Sequence, residues 1–480
     1  MHSRFRRTGA LVATGAALFT ALAVQAGGSA GAQPILDRQP IDKVLGQPTQ
    51  GKTALTAVKP RLAELAERNG LAEQKLLGIL ATDKAAWLDR DGRLFYKEPA
   101  ATKAEKASEP APRWAKQAVV AATGPAFQLN SKPGSNRVIY LDFDGHTITG
   151  TAWNTNGKPA TVNVGAYDTD GNPGVFSTAE QDVVRAVWQR VAEDYSPFDV
   201  NVTTQAPAES AITRSGSSDL QYGTRVLIDP GTWYQSGCGC GGVAYVGVYD
   251  NSSNHAYYQP ALVFTKGVGT GAKNIAEAAS HEAGHNVGLS HDGTSSQGYY
   301  TGHNAWAPIM GVGYSKAITQ WSNGEYSNAN NKEDDYGVVG SNGLALRADD
   351  HGDGTANATA LTLGTTVNGV YATGPDVDVF RIDVSAGTFT FAANSAPVGG
   401  NLDIKLELLN SSGAVIATAD PASGQTNSAT PTGLSASINR QVAAGRYYLR
   451  VDNAGYGNPL NTGYSTYGSR GAYSVRVTAG

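Results

Sequence analysis

One stretch of the sequence decides the fold: His281-Glu-Ala-Gly-His285-Asn-Val-Gly288-Leu-Ser-His291-Asp292. It holds three of the eight histidines of the 480-residue chain. The residues from Asn274 to Val287 have a helical pattern, so His281 and His285 stand one turn apart on one side of a helix, where both imidazoles can reach one ion. Glu282 lies about 100° further round, close enough for its carboxylate to reach a water on that ion.

The third histidine requires the chain to change direction. If the helix continued, His291 would lie about 240° round from His285 and about 9 Å beyond it. Gly288 stands where the chain must leave the helix, because glycine adopts positive φ without penalty and commonly ends helices. Three neutral imidazoles and one water form a tetrahedral zinc site with an open position, which is the catalytic arrangement. The sequence therefore predicts His281, His285 and His291 as ligands of one catalytic Zn²⁺.

These residues resemble the metzincin zinc endopeptidases. The family signature, His-Glu-x-x-His-x-x-Gly-x-x-His, matches the stretch at every position. Met310, in Ala307-Pro-Ile-Met310-Gly311, is similar to the methionine of the family's Met-turn, which forms an apolar floor beneath the zinc and is not a ligand. Astacin- and serralysin-type members carry a tyrosine two residues after that methionine. Here the position is Val312, and Tyr314 is assigned no metal role.

Within the metzincins, the sequence is most similar to the reprolysin/adamalysin branch and its secreted bacterial relatives, over about residues 126–345. The resemblance implies an α/β catalytic domain with a mixed twisted sheet and two long helices. Gln181–Tyr195 is similar to the first of these helices, and Gly242–Val248 to the edge strand along which substrate aligns. The implied activity is that of a zinc metalloendopeptidase, a hydrolase that cleaves peptide bonds of proteins. The resemblance also implies that Glu282 activates the zinc-bound water.

Residues 1–32 have the features of a secretory signal peptide. Three arginines precede an apolar run from Ala10 to Val24, and Ala30-Gly-Ala32 is typical of a cleavage site. The run of about 15 residues is shorter than the roughly 20 residues that span a bilayer. We therefore expect cleavage near Ala32, a secreted, extracellular protein and no membrane association after signal removal.

Residues 33–125 are predicted to form a pro-segment and linker. Leu62–Arg68 and Leu71–Leu77 have apolar residues at helical spacing, whereas residues 98–113, rich in Ala, Lys, Glu and Pro, are typical of a flexible linker. This region carries 15 Lys/Arg against 11 Asp/Glu, and residues 126–480 carry 19 against 30. A basic piece ahead of an acidic body favours a mostly helical pro-segment that acts as an intramolecular inhibitor of a zymogen. An ordinary helical domain is the alternative.

Residues 126–348 are predicted to form the catalytic domain, because strands alternate with helices there. The predicted elements are strands 138–143, 198–203, 225–228, 243–248 and 261–264 and a helix from Thr178 to Tyr195, with Ser177 or Thr178 as its N-cap. The two cysteines, Cys238 and Cys240, flank one glycine and are interpreted as a local disulfide or as reduced thiols. Since neither lies in the pro-segment, latency requires a carboxylate or steric blockage instead of a thiolate on zinc.

Residues 349–480 predict an all-β sandwich, because alternating stretches are separated by Gly, Asn, Ser and Pro turns. The region resembles the pre-peptidase C-terminal domain of secreted bacterial proteases. The matching stretches are Asp376–Arg381, Leu402–Leu409, Gly445–Val451 and Gly471–Val475. Two roles are open for it: a removable appendage, or a module that grips insoluble substrate.

Two acidic groups are candidates for Ca²⁺, a second and weaker cofactor prediction. Asp142 and Asp144 alternate along a strand, and solvated turn carboxylates are the favoured interpretation. Asp349, Asp350 and Asp353 form an oxygen-rich loop without EF-hand spacing. Four further histidines are isolated and are interpreted as surface or hydrogen-bonding residues: His146, His255, His303 and His351.

The net charge of −4 provides no basic footprint, so no nucleic-acid partner is expected. Protein or peptide substrates are the expected partners, and oligomeric state is not specified by the sequence. Two other functions stay open: a secreted, non-catalytic, zinc-stabilised binding protein that uses the C-terminal sandwich, and a zinc hydrolase of non-peptide bonds. The intact Glu282 disfavours the first, because a purely structural zinc site has no use for that carboxylate.

Overall fold

The computed structural model describes residues 43–107, 124–155, 158–234 and 238–480. The predicted signal peptide lies outside these ranges, as does part of the predicted linker. In the described residues, no helix is both long enough and apolar enough to span a membrane.

The N-terminal region, residues 43–107, contains both helices and strands. Leu62–Arg68 is helical as predicted, the helix predicted at Leu71–Leu77 begins instead at Glu73, and the strands of this region join the central sheet described below. In chain order the elements are β1 Thr49–Gln50, α1 Gly51–Val58, α2 Leu62–Arg68, α3 Glu73–Thr82, β2 Ala86–Leu88, β3 Leu94–Pro99 and α4 Lys103–Ala107, with a 3₁₀ turn at Lys59–Arg61.

The next region, residues 124–348, alternates strands and helices as its sequence pattern predicts. Its elements are β4 Arg137–Asp142, β5 His146–Thr149, β6 Thr161–Val164, α5 Thr178–Asp194, β7 Asn201–Thr203, α6 Glu209–Ile212, β8 Tyr222–Asp229, β9 Cys240–Tyr245, β10 Ala261–Phe264, α7 Thr265–Val268, α8 Ala272–Asn286, β11 Trp306–Pro308, β12 Ile318–Gln320 and α9 Asp335–Ser341, with 3₁₀ turns at Pro125–Phe127, Ala152–Asn154 and His255–Tyr258.

The central sheet has eight strands in the order β1-β2-β3-β9-β10-β8-β4-β7. Strands β10, β8, β4 and β7 are parallel, whereas β9 runs antiparallel to β10. Helices α5 and α8 pack on the sheet and on each other, and their apolar residues belong to one buried cluster. Ser177 begins α5 through a capping box: its hydroxyl accepts from the Glu180 N–H, and the Glu180 carboxylate accepts from the Ser177 N–H.

Two expectations about this sheet are wrong. The strand predicted at Val243–Val248 is β9, which begins and ends three residues earlier. It was expected to be an edge strand, but β3 pairs with it in antiparallel orientation on the side away from β10. The predicted linker begins at Glu98, yet Glu98 and Pro99 belong to β3, and Glu98 is buried. The pairing of β3 with β9 joins residues distant in sequence and leaves no local signal. The Ala, Lys, Glu and Pro composition after Glu98 therefore predicted a linker where the strand ends.

The C-terminal region, residues 349–480, is all-β. Its core lies between a five-stranded sheet, β13-β15-β22-β17-β18, and a four-stranded sheet, β14-β23-β16-β21. The bounds are β13 Thr359–Ala360, β14 Thr366–Tyr371, β15 Asp378–Val384, β16 Gly387–Ser395, β17 Ile404–Leu409, β18 Val415–Ala419, β19 Gly424–Asn427, β20 Thr430–Thr432, β21 Ala436–Val442, β22 Gly445–Asn453 and β23 Gly471–Ala479.

Buried hydrogen bonds join this sandwich to the end of α5. The Glu193 carboxylate accepts from the N–H groups of Asn401 and Ala472, at 3.2 and 3.1 Å. The Asn401 side-chain amide donates to Asp194 at 2.8 Å. The backbone carbonyl of Asn401 accepts from the Gln320 side-chain amide at 2.6 Å. The sandwich therefore packs on the same helix that supports α8.

Candidate metal centre

Helix α8 carries His281, Glu282 and His285 and is buried along its whole length. It ends at Asn286, and Gly288 follows with φ of +97°. The Gly288 and Leu289 N–H groups donate to the carbonyls of His285 and Gly284, which closes the last turn. A Cβ on Gly288 would lie 2.8 Å from the Asn342 side chain, so both the backbone angle and the space require glycine.

The turn brings His291 back to the two helical histidines, as predicted. The Nε2 atoms of His285 and His291 are 3.1 Å apart, and the centroids of the three rings are 4.7, 4.8 and 5.3 Å apart. A zinc ion about 2.0–2.1 Å from each nitrogen in tetrahedral geometry separates the nitrogens by about 3.3 Å. The Nε2 atoms of His285 and His291 therefore have the spacing that one zinc ion requires, and the ligand atoms of all three imidazoles lie within 4.8 Å of one another.

The opposite ring nitrogens fix the tautomers. His281 Nδ1 donates to the Ile309 carbonyl at 2.9 Å, and His285 Nδ1 donates to the Leu289 carbonyl at 2.8 Å. An Nδ1–H donated to a carbonyl leaves Nε2 with a free lone pair, which is the form that binds metals. Burial lowers the pKa of His285 to about 4, which keeps this ring neutral. His281 Nε2 is buried and has no hydrogen-bond partner among the described residues.

Glu282 is a buried carboxylate without a protein partner in the described part of the chain. Neither of its oxygens accepts a hydrogen bond, and burial and the nearby Glu98 raise its pKa well above the usual range. It packs against Gly242 of β9, where an added Cβ would lie 1.9 Å from Glu282 Oε1. A buried carboxylate without a hydrogen-bond donor, beside three convergent imidazoles, fits a site for a cation and a water. The water would donate the hydrogen bond that the protein does not provide.

Met310 lies beneath this helix, as the Met-turn resemblance implies. It is fully buried, and its sulfur would lie 2.7 Å from a Cβ on Gly284, the residue directly before His285. Its carbonyl accepts from the Asp292 N–H at 2.8 Å, which ties the turn to the chain after His291. Val312 and Tyr314 line a neighbouring pocket.

Sequence analysis missed a fourth residue at this centre, Glu98 of β3. Its Oε1 is 3.0 Å from His291 Nε2 and 3.4 Å from His285 Nε2, and its Oε2 is 3.6 Å from His281 Nε2. Tyr299 donates its hydroxyl to Oε2. Burial raises the pKa of Glu98, but the charge of His291 and the closeness of the three imidazoles outweigh burial and hold this pKa well below the usual range.

A second carboxylate from the N-terminal region contacts the same centre. Asp83, just after α3, lies with Oδ2 2.6 Å from His291 Nδ1. Burial lowers the pKa of His291, but Glu98 and Asp83 outweigh it and raise this pKa to about 10. The two carboxylates thus favour a positive charge at this position, which a divalent cation provides.

A small pocket of about 20 Å³ adjoins His281, between α8 and the chain after Met310. Its lining also includes Glu98, Pro99, Glu277 and Tyr314. Glu277 accepts from the Lys273 ammonium at 2.6 Å, and that ammonium also donates to the Gly313 carbonyl. The charge of Glu277 is therefore balanced inside the protein.

The other sequence candidates lie away from this centre. Cys238 and Cys240 form a disulfide. Asp142 was expected to be solvated and is instead buried in an ion pair with Arg225, because β8 places that guanidinium beside it. His255 is buried and bonds the Tyr249 carbonyl at 3.0 Å, so it is a hydrogen-bonding residue and not a surface one.

Two further carboxylates, those of Asp376 and Asp378, lie beside the acidic loop of Asp349, Asp350 and Asp353 at the start of the C-terminal region. Carboxylate oxygens of Asp349, Asp353 and Asp376 lie within 4.8 Å of one another, as do those of Asp349, Asp350 and Asp378. Asp378 is fully buried, and its Oδ1 has no hydrogen-bond partner in the described residues.

Comparison with known proteins separates the chain into two recognisable parts. Residues 228–322, which include the three histidines and Met310, match the model of metallo-peptidase family M12, and residues 376–453 match that of the bacterial pre-peptidase C-terminal domain. No curated protein matches the chain.

Two solved structures are similar over a quarter of the chain. One is the pre-peptidase C-terminal domain of collagenase from Bacillus anthracis, with 21% identity over 25% of this chain and 94% of that one and a TM-score of 0.19. The other is PliG of Aeromonas hydrophila, a periplasmic inhibitor of g-type lysozyme, with 13% identity over 25% and 93% and a TM-score of 0.17. The chain is thus similar to metallo-peptidase family M12 around its three histidines and to the bacterial pre-peptidase C-terminal domain after them.

Proposed function

We propose that this chain is a secreted zinc endopeptidase, made as a zymogen with a signal peptide at 1–32, a pro-segment at 33–125, a catalytic domain at 126–348 and a β-sandwich at 349–480. One observation carries the proposal: three imidazoles converge beside the unpaired carboxylate of Glu282, and two of them, His281 and His285, donate Nδ1–H to carbonyls and so direct a free Nε2 at the centre. The match of residues 228–322 to metallo-peptidase family M12 supports the same chemistry.

His281, His285 and His291 would hold the zinc ion. When bound, zinc supplies Lewis acidity, which makes a water more acidic and polarises the scissile carbonyl. Glu282 accepts the proton of the attacking water and passes it to the leaving amine. Burial raises the pKa of Glu282, which favours holding that proton between the two transfers. Gly242 leaves the space in which the Glu282 carboxylate keeps its position.

Substrate would pair with β9 after the pro-segment has left. Strand β3 already shows that β9 accepts an antiparallel strand on this side, with Glu98 opposite Gly242. Backbone hydrogen bonds to β9 give affinity without demanding particular side chains, and the pocket beside His281 receives the side chain that follows the scissile bond. Because β3 fills this position, the pro-segment acts as an intramolecular inhibitor.

The Glu282→Ala variant tests the catalytic role. It is expected to keep one zinc per chain and to lose about 10²–10⁴-fold in the rate of casein cleavage, since a general base contributes that much. The matched control is Glu325→Ala, which removes an exposed carboxylate bonded only to a neighbouring amide. Cleavage by Glu282→Ala at the wild-type rate would show that Glu282 is not the base.

A secreted binding protein with structural zinc is the second candidate, because Glu98 completes the four-ligand set typical of structural sites. The two candidates differ in one observable. The protease cleaves peptide bonds after pro-segment removal and stops when a chelator removes zinc, whereas the binding protein cleaves nothing in either state.

The contacts of the C-terminal sandwich support retention after export instead of removal. Its hydrogen bonds with Glu193 and Asp194 are buried, and exposing those carboxylates breaks several bonds at once. Mass spectrometry of the exported protein checks this: a mass matching residues from about 126 to 480 agrees with retention, and a mass ending near 348 contradicts it.

We also propose that the acidic loop binds Ca²⁺. The unpaired, buried Oδ1 of Asp378 supports an oxygen-ligated cation between it, Asp349 and Asp350. Calcium is expected to raise the melting temperature of the wild-type protein and not that of Asp378→Asn. Equal response of the two proteins would contradict the site.

A further inference from the structure

We propose that the C-terminal sandwich holds the loop that forms one wall of the pocket beside His281, and that the sandwich thereby sets which substrate side chain this pocket accepts. The loop, called here the wall loop, comprises residues 309–317 between β11 and β12. The inference rests on the proposed endopeptidase function and deepens it, because it gives the sandwich a part in substrate selection. Five residues of the wall loop line the pocket: Ile309, Gly311, Val312, Gly313 and Tyr314.

The two strands on either side of the wall loop pack on the sandwich. Strands β11 and β12 pair in parallel, with Trp306 opposite Ile318. These two side chains lie in one buried apolar cluster with Leu434 and Tyr464 of the sandwich. An isolated pair of short strands is only marginally stable, so the side chains that cover it decide whether it keeps its position. For β11 and β12, two of those side chains come from the sandwich.

Gln425 of the sandwich binds the end of the wall loop directly. It belongs to β19, which pairs with β20 in a hairpin. Its side-chain oxygen accepts from the Ala317 N–H at 2.9 Å, and its side-chain amide donates to the Ser315 carbonyl at 3.4 Å. One amide group thus bonds to the backbone of the wall loop through both its donor and its acceptor. These bonds fix the chain directly after Tyr314, which lines the pocket.

Backbone carbonyls of the sandwich hold the chain on both sides of the wall loop. The Gln320 side-chain amide donates to the Asn401 carbonyl at 2.6 Å, and its oxygen accepts from the Trp306 indole N–H at 2.9 Å. Gln320 is buried, and it joins both strands to the sandwich. Before β11, His303 Nε2 donates to the Gly463 carbonyl at 2.6 Å, because its Nδ1 accepts from the Tyr300 hydroxyl. Such bonds resist displacement, since breaking one leaves a polar group unpaired.

These contacts connect the sandwich to substrate selection. A pocket discriminates between side chains by the fit of its wall, and a misplacement of about 1 Å costs about 100-fold in rate. The sandwich contacts both strands that carry the wall loop and the end of the loop itself. Gln425 and Leu434 are therefore positioning residues, which act on substrate through the wall loop.

The experiment measures selectivity with peptides that differ only in the residue after the scissile bond. The ratio of kcat/KM between the best and the poorest peptide is expected to fall at least about 10-fold in processed Leu434→Ala. In Gln425→Ala, which removes no buried packing, it is expected to fall about 3-fold. Both variants should keep one zinc per chain. The matched controls are Leu409→Ala, in a buried cluster whose members all belong to the sandwich, and Gln441→Ala, at an exposed position, and both should keep the wild-type ratio.

A second measurement does not depend on catalysis. Hydrogen exchange of the amides of residues 309–320 is followed by mass spectrometry in the full chain. Leu434→Ala is expected to exchange them at least about 10-fold faster than the wild type, and Leu409→Ala at the wild-type rate.

Three results overturn the inference while the proposed function stands: a wild type without preference at this position, a wild-type ratio in both Gln425→Ala and Leu434→Ala, or equal changes in Leu434→Ala and Leu409→Ala. A processed wild type that cleaves no peptide overturns the proposed function itself. The exchange measurement then still decides whether the sandwich holds the wall loop.

Discussion

Two regions of the chain contact the same three imidazoles through different chemical groups. Residues 124–348 hold His281 and His285 with backbone carbonyls, which carry no net charge. Residues 43–107 approach with carboxylates, Glu98 on the Nε2 side and Asp83 behind His291. The difference separates two tasks: neutral carbonyls fix the direction in which the imidazoles point, whereas the carboxylates add negative charge beside them.

The largest expected effect comes from Gly242→Ala, which displaces the Glu282 carboxylate. The new Cβ would lie 1.9 Å from Glu282 Oε1 and 2.9 Å from the Leu262 carbonyl, so the Glu282 carboxylate must move. We expect cleavage by the processed protein to fall about 10²–10⁴-fold, with zinc retained. The control is Gly216→Ala, where nothing lies within 4 Å of the new Cβ. Wild-type turnover of Gly242→Ala would mean that the position of Glu282 does not matter.

Met310→Ala tests the floor that supports the carbonyl-held histidines. The side chain is fully buried, so its removal should lower the free energy of unfolding by about 2–5 kcal/mol. Met310→Leu keeps the volume and should cost less than about 1.5 kcal/mol. Urea denaturation compares the two variants, and equal stability of both with the wild type would exclude Met310 as a packed floor.

The smallest effect concerns pH and the carboxylates that join the sandwich to α5. Burial raises the pKa of Glu193 to about 8 and that of Asp194 to about 7. The native state therefore keeps protons that the unfolded chain has already released above about pH 4.5, and stability falls as pH rises from 5 to 8. We expect the melting temperature to be a few degrees lower at pH 8.5 than at pH 6.

Glu193→Gln should flatten this pH dependence, because the amide does not ionise. Glu325→Gln, which changes an exposed carboxylate, should keep the wild-type slope. If the Glu193→Gln protein shows the full wild-type dependence, then Glu193 does not titrate in this range.

The sequence predicted the parts of the site that follow from local geometry. The spacing of His281 and His285 is that of one helical turn, and Gly288 has the positive φ that the return of His291 requires. The bounds of β10, Ala261–Phe264, agree with the predicted strand. In each case the signal lies within a few residues of the structure it produces.

Non-local contacts escaped prediction. Glu98 reaches the histidines only because β3 pairs with β9, and a strand carries no record of its partner in its own sequence. Asp142 was expected in water, and its burial follows from Arg225 on the adjacent strand. The sequence also did not show that Asp376 and Asp378 lie beside the acidic loop. They do so because the chain enters β15, which begins at Asp378, next to that loop.

Anomalous diffraction at the zinc edge from crystals of the full chain tests the central claim most directly. We predict one peak about 2.0–2.1 Å from the Nε2 atoms of His281, His285 and His291. A zinc ion held without His291, or no zinc at these three nitrogens, would contradict the account of a three-histidine site.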